Sequence, residues 1–245
     1  MAVSGGVDSV VLLHLLMGCA GTLGLSLAVA HYNHGTRGTD SNNDEGFVRD
    51  LAGKWGLVCH CGRMENKPAA RRESWEALAR DRRYRFLASV RKEHGYDWIA
   101  TGHQGDDQIE TLIMRLVEGS GIHGLKGIPS RRGSLVRPLL PFTRGEIKAH
   151  AARHKLEFRE DSTNQDISIP RNFVRHRIVP HLRELNPSLT TAVSRLVKNV
   201  EEVNTFLGRE LDRHEARVVS SVSGEMSELD AKGLAENLDG VGVGV

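Results

Sequence analysis

Four residues into the chain, Ser4-Gly5-Gly6-Val7-Asp8-Ser9 runs straight into the apolar stretch Val10-Val11-Leu12-Leu13. A glycine pair at a strand-to-helix turn lets the backbone approach an anion closely and take up dihedrals that other residues resist. The helix start adds unpaired N–H groups and a partial positive charge. Ser4 and Ser9 supply hydroxyl donors, and Asp8 is a hard oxygen ligand of the kind Mg²⁺ takes. A capped turn would use the same residue types, but the whole hexapeptide ahead of an apolar helix favours a nucleotide. The hexapeptide is not a Walker loop, because no lysine follows the glycines, and it does not read G-x-G-x-x-G.

A second group with chemical potential is Gly102-His103-Gln104-Gly105-Asp106-Asp107-Gln108-Ile109-Glu110. On a helix, Asp107 and Glu110 are three apart and Asp106 and Glu110 four apart, so both pairs share a face. Like charges there repel unless a cation compensates, and Mg²⁺ or a substrate ammonium would serve. Acidic residues in a first helical turn also suit the helix dipole; that accounts for Asp106 or Asp107 alone but not for Glu110 beside them. His31 and His34 lie three apart with no third ligand of matching type nearby, so contact of this polar loop with nucleotide or RNA is favoured over a metal. The densest basic cluster is Arg171, Arg175 and Arg177 with Asn172 and His176, and no Asp or Glu occurs from 167 to 183. Arg171 and Arg175 are four apart and share a helical face. Such a run is often only solvated, but the missing acids favour a phosphate or substrate contact.

The elements that must position these groups alternate. The patterns predict helices over 9–18, 42–55, 73–94, 106–118 and 144–154, and strands over 25–30, 57–63 and 98–102. Residues 1–3 alone remain for a first strand, against about five or six usual, so that strand is expected to be weak and the N terminus shortened. Residues 119–142 read as a loop with an extended piece at 135–140, and 157–170 as irregular. Helices are expected over 178–185 and 188–212, split by Asn186-Pro187, with a disordered tail at 240–245. Strand–helix alternation predicts an α/β fold with a parallel sheet flanked by helices, in which ligands bind at the carboxyl ends of the strands. The opening turn and the segments 31–37 and 102–110 all sit at such ends.

The 245 residues suffice for one sizeable core and a small appendage. With 39% hydrophobic and 26% charged residues the composition is that of a soluble globular protein. No apolar run approaches a membrane span and no signal-peptide pattern is present, so the expected location is cytoplasmic. The formal net charge of +2 is compatible with RNA without arguing for it. Cys19, Cys59 and Cys61 are too few and too close in spacing for a zinc knuckle, and their odd number favours a reducing compartment.

The opening hexapeptide resembles the loop of the PP-loop enzymes, which cleave ATP between its α and β phosphates. Taken in order, further segments resemble one branch of that family, the tRNA(Ile)-lysidine synthases: H-Y-N-H-G-T-R-G at 31–38, E-A-L-A-R-D-R-R-Y-R-F-L at 76–87, T-G-H-Q-G-D-D-Q-I-E-T at 101–111, G-S-G-I-H-G-L-K-G-I at 119–128, R-P-L-L at 137–140, E-D-S-T-N at 160–164 and P-R-N-F-V-R-H-R-I-V-P at 170–180. The likeness covers roughly residues 1–190. It departs at Thr36, where the family usually has leucine, at the short first strand, and after about 190, where the tRNA-contacting part is reduced.

The resemblance implies an adenine nucleotide α-hydrolase-like, Rossmann-type catalytic domain over 1–187 and an incomplete helical C-terminal extension over 188–245. It implies ligation of free L-lysine to the wobble cytidine of tRNA(Ile), with ATP as co-substrate and Mg²⁺ as cofactor. Ser4, Gly5, Gly6, Val7, Asp8 and Ser9 would bind ATP, with Asp8 the expected Mg²⁺ ligand. Asp107 and Glu110 would receive and deprotonate the amine, with His103 beside them. His34, Arg37, Arg80, Asn164, Arg171, Asn172 and Arg175 would contact substrate or RNA. Helix-rich tails often mediate dimers, so a homodimer is an expected arrangement. Sulfur transfer by a tRNA thiolase is the nearest competing activity, but the three cysteines lie outside every motif. An ATP- or RNA-binding module without catalysis is the alternative from another class; Asp8, Asp107 and Glu110 are all present, which ranks it lower.

Overall fold

The computed structural model describes residues 1–35, 38–64, 72–160, 165–223 and 226–229. β1 (Ala28–Asn33) and β2 (Val58–Arg63) pair in parallel, from Ala28 opposite Val58 to Asn33 opposite Arg63. Residues 1–3 lie along the other side of β1. Ala2 forms a parallel bridge with Ala30, and the Val3 N–H donates to the Ala30 carbonyl at 2.9 Å. The Ala2 N–H donates to the carbonyl of Ala100 at 2.9 Å, which joins this segment to β3 (Ile99–Ala100). β3 pairs in parallel with β5 (Leu135–Val136), and β5 carries β4 (Arg131–Arg132) antiparallel to it. The expected parallel sheet is therefore present, in the order β2, β1, residues 1–3, β3, β5, β4. Its centre is the weak strand foreseen, a single bridge and a few backbone hydrogen bonds.

Five helices flank the sheet: α1 (Val7–Leu23), α2 (Thr39–Lys54), α3 (Arg72–Glu93), α4 (Gly105–Val117) and α5 (Arg144–Arg153). Successive strand residues face opposite ways. Val29 packs with Val3, Leu13, Val48 and Ala52, which brings α1 and α2 onto one face. Its neighbour Ala30 packs with Leu87 and Ile99, which brings α3 onto the other. The buried run Val10 to Leu13 therefore serves two clusters: Leu13 packs toward α2, while Val11 and Leu12 meet Ile147 and Ala151 of α5. α1 ends at Gly24, whose φ of 61° is the left-handed conformation that glycine accepts at a helix C terminus.

The C-terminal part is α6 (Pro170–Phe173), a π-helical turn (Val174–Ile178), α7 (Val179–Leu185) and α8 (Leu189–Val218), followed by a hairpin of β6 (Val219–Ser223) and β7 (Met226–Leu229). Ile109 of α4 packs with Val174, Val179, Leu189 and Val193. This cluster straddles residue 187, where the sequence reading placed a boundary. The expected disordered tail at 240–245 lies outside the described residues.

Several element limits differ from expectation for local reasons. The strand expected over 25–30 instead runs to Asn33, because the polar side chains beyond Ala30 are satisfied internally. His31 Nδ1 bonds the Val3 carbonyl at 2.9 Å, and the Asn33 amide donates to the Ser41 carbonyl and to Glu45. The segment 119–142 contains a 3₁₀ turn (Gly124–Lys126) and the β4–β5 hairpin, and the strand expected over 98–102 forms only at Ile99–Ala100. α1 is longer than 9–18, since its exposed second half is carried by continued backbone bonding to Leu23.

α1 and α5 are also joined by imidazoles. His14 Nδ1 and His150 Nε2 lie 3.1 Å apart, and the His154 ring sits 4.8 Å from that of His14 and 4.3 Å from that of His150. Burial first, and then the neighbouring rings, hold His14 and His150 below the ordinary histidine value of 6.5. Their folded values lie below the unfolded one, so the neutral pair stabilises the fold above that pH and loses its contribution as pH falls through the folded values. The melting temperature is expected to drop between pH 7.5 and 5. The drop should be shallower in a His14→Gln/His150→Gln variant, measured by circular dichroism across that range; an identical slope in both proteins would remove the pair from the account.

Candidate active site

The opening turn wraps around its own serines. The Ser9 hydroxyl donates to the Gly6 carbonyl at 2.8 Å and accepts the Ser4 N–H at 3.2 Å, with Ser4 Oγ 3.3 Å away. Ser9 is buried, so it shapes the turn as much as it faces a ligand. Gly5 has φ of 92°, which explains a glycine there, and its carbonyl accepts the Arg159 N–H at 2.9 Å. Gly6 caps α1 with extended backbone, leaving the helix start open toward a wide cleft. Ser4, Gly6, Val7, Asp8 and Ser9 line this cleft; Gly5 lies behind, against Phe47.

Asp8 occupies the floor. Its Oδ1 is buried and has no hydrogen-bond partner. Burial, and then the charge of Asp107, push its carboxyl up to about 6, while Arg144 and Arg175 act the other way. A buried carboxylate oxygen without a donor, on a residue that lines the cleft, suits a hard cation of the kind that takes one or two carboxylates together with substrate phosphates and water. The residues therefore fit Mg²⁺, with Asp8 as the protein ligand. Among the described residues no group of three or more His, Cys, Asp or Glu is arranged as an all-protein metal cage.

α4 delivers the acidic group. Gln104 caps it: its side chain accepts the Asp106 N–H at 2.6 Å, and Asp107 Oδ2 accepts the Gln104 N–H at 3.0 Å. Asp106 and Asp107 line the cleft. Glu110, one turn on, is buried and outside the lining. Arg175 donates to both Glu110 oxygens, at 2.6 Å and 3.0 Å, and Arg171 Nε donates to Oε2 at 2.7 Å. Arg171 also reaches Asp107 Oδ1 at 3.0 Å, with Arg175 3.7 Å from the same oxygen. The compensating cation expected beside Glu110 was Mg²⁺ or a substrate ammonium; the fold supplies two arginines instead. Glu110 is thus placed to hold Arg171 and Arg175, not to receive an amine, and the arginines read as phosphate contacts are first of all counter-ions to α4. Asp106 is held by Arg183 at 2.9 Å, which also reaches Thr190.

Other expected site residues fall into two sets. His103, His34, Arg80 and Asn172 line the cleft. His103 is tied to Thr101 Oγ1 at 2.9 Å, and burial with nearby guanidiniums lowers it to about 3, so it is neutral near pH 7. His34 is lowered to about 4, mainly by burial, and its Nδ1 has no partner. The Asn172 amide donates to the Asp166 carbonyl at 3.0 Å and braces the chain before α6. Arg37 and Asn164, like Thr36, lie outside the described residues. Arg83 was missed. It lines the cleft beside Arg80, and burial lowers its guanidinium from the ordinary value. Both arginines lie 5.3 Å from the Tyr84 ring. The signal was there, since 80 and 83 share a helical face.

A parallel α/β sheet, a glycine turn opening a helix, and acids and arginines converging at the strand ends define a nucleotide-handling domain of the phosphate-loop class. A family model described as the PP-loop domain matches residues 1–182, and the chain belongs to that family. Similar proteins include a tRNA(Ile)-lysidine synthase of Chlorobaculum tepidum, 40% identical over 216 residues, which are 87% of this chain and 65% of the relative. One of Porphyromonas gingivalis is 40% identical over 228 residues, 91% of this chain and 49% of the relative, and one of Thermotoga maritima is 36% identical over 212 residues, 85% and 51%. The chain spans about two-thirds of the first relative's length and about half of the other two. Among solved structures, a U34-tRNA thiolase, NcsA from Methanococcus maripaludis with its [4Fe-4S] cluster, shares the fold at a TM-score of 0.65 and 18% identity, covering 83% of this chain and 71% of that one.

Two substitutions test this geometry. A Cβ at Gly102 would stand 3.1 Å from the Asp8 carbonyl carbon and the Ser9 nitrogen, both backbone atoms of the turn. Gly102→Ala is expected to displace the turn and weaken ATP binding, read by calorimetry, with little change in helix content; unchanged affinity would show that the turn tolerates the shift. Glu110→Gln removes the buried anion that both guanidiniums grip and leaves them Asp107 alone. It should cost about 3 kcal/mol, the low end of the range for breaking a buried pair because Arg171 keeps some solvent, as measured by urea unfolding.

Proposed function

We propose that this chain ligates lysine to the wobble cytidine of tRNA(Ile), consuming ATP and releasing AMP and pyrophosphate. The observation that carries the reading is that the opening turn and Asp107 line one cleft. A triphosphate held at the turn is then within the same space as the carboxylate that would receive an amine. The names of the relatives support the choice of reaction.

The chemistry divides in two. The cytosine carbonyl oxygen attacks the α-phosphorus, and pyrophosphate leaves. The ε-amine of lysine then attacks the adenylated ring carbon, and AMP leaves. Adenylation is needed because a carbonyl oxygen leaves poorly whereas AMP leaves well. The helix N–H groups at the turn and the Ser4 hydroxyl would hold the phosphates. Arg83 and Arg80, on the cleft wall, would stabilise charge gathering at the α-phosphate. Asp8 would hold Mg²⁺, which when bound neutralises phosphate oxygens and draws the triphosphate onto the turn. Free lysine arrives as an ammonium; Asp107 supplies the counter-charge and takes the proton as the amine attacks. Burial already pushes the Asp107 carboxyl upward, which makes it a better proton acceptor than an ordinary aspartate. His103, being neutral, contributes a hydrogen bond and no charge.

Asp107→Asn is expected to lower incorporation of labelled lysine into tRNA(Ile) by at least ~10²-fold, in the usual range for loss of a general base. Exchange of pyrophosphate into ATP in the presence of that tRNA should persist. Near-native lysine transfer by this variant would take Asp107 out of the mechanism.

A further inference from the structure

The proposed chemistry leaves one pair of reactive side chains unused. Cys59 and Cys61 both stand on β2, two residues apart, so they share a strand face. Their sulfurs lie 3.7 Å from each other. Both are half-buried, on a strand whose described partner is β1 alone, and neither lines the cleft.

The backbone opposes an internal disulfide. Two residues of strand rise place the α-carbons about 6.6 Å apart, near the far limit of the ~4.4–6.8 Å that a disulfide accepts. β2 is held in continuous register with β1 through both positions, so the strand cannot contract locally without losing ladder bonds. The sulfur spacing does suit one atom bonded to both. Side-chain rotation about Cα–Cβ brings the two sulfurs the short remaining way onto one shared atom without moving the strand.

The surroundings decide what that atom is. The Arg49 guanidinium lies close enough to bias both thiols toward thiolate, so an added dication would meet a positive neighbour. Glu45, the nearby acid, already has its oxygens engaged by Asn33, Arg49 and Arg63. Among the described residues a metal ion would therefore find two ligands here and no third. Burial pushes the thiols upward, Cys61 to about 12, which favours an acceptor that takes the protonated thiols and brings no net charge.

We propose that Cys59 and Cys61 form a two-thiol binding site for trivalent arsenicals of the type R–As(III). With R–As=O the reaction yields R–As(S)₂ and water. Two As–S bonds replace the As–O double bond, both thiol protons leave on that oxygen, and no atom changes oxidation state.

Phenylarsine oxide is the probe, with Zn²⁺ in a parallel arm. One equivalent should add with loss of one water by intact mass, mask two of the three thiols, resist excess monothiol and come off with a dithiol. Cys59→Ser and Cys61→Ala should each weaken retention by at least ~10²-fold, the usual advantage of a second tethered contact, and Cys19→Ser should leave it unchanged. Circular dichroism verifies that each variant is folded, and the two positions are independent tests. Retention that survives loss of Cys61, retention that depends on Cys19, or displacement of the arsenical by equimolar Zn²⁺ would overturn the proposal.

Discussion

The site depends on one buried charge balance. Glu110 and Asp107 bring two negative charges into α4 at one face, and Arg171 and Arg175 bring two positive charges from the segment Pro170–Ile178. Burying a carboxylate as fully as Glu110 is costly unless it is paired and hydrogen-bonded. Three N–H bonds from two guanidiniums supply that condition. Pairing fixes the C-terminal helices against α4 more specifically than the apolar contacts of Ile109, Val174 and Val179 could, because guanidinium forks demand direction while methyl groups do not. The π-helical turn at Val174–Ile178 carries Arg175, so the helix is locally widened where it must present that side chain.

The turn at the other side of the cleft is held by sterics. Gly102 at the end of β3 admits the backbone of Asp8 and Ser9 at a distance that any Cβ would contest. Gly105 plays the same part for α4: a Cβ there would stand 2.5 Å from the Thr190 methyl and 2.9 Å from the Phe142 carbonyl oxygen. Gly102 therefore sets the approach of the opening turn to the end of β3, and Gly105 the approach of α4 to residues 140–142 and to α8.

Much of this was legible in the sequence, and the illegible part has a common cause. The alternation of apolar strands and amphipathic helices gave the sheet and its flanking helices, and the glycine turn gave the position of the cleft. What failed was the assignment of partners for polar residues. His31 and Asn33 read as loop because they are polar, yet backbone carbonyls and Glu45 satisfy them inside the sheet. Glu110 read as a site residue because its charge lacked a visible counter-ion, and its counter-ions lie 61 and 65 residues away. Periodicity reports which face a side chain takes; it does not report which distant element meets that face. Arg83 was passed over although it shares a helical face with Arg80, because it is one of four arginines between 80 and 85 on α3.

The three carboxylates thus divide by environment and not by type. Glu110 is satisfied by arginines and serves the fold. Asp107 has one oxygen on the α4 cap and the other on Arg171, and it lines the cleft where Glu110 does not. Asp8 has an oxygen with no partner at all. An acid whose folded value is raised to about 6 is bound to its proton more tightly in the folded chain than in the unfolded one. Its ionisation near neutrality therefore works against the fold, increasingly as pH rises from the unfolded value near 3.8 to the folded value near 6. A cation arriving at that oxygen reverses the sign, since it favours the charged form that burial opposes. By linkage, whatever cation and phosphate bind there also stabilise the chain.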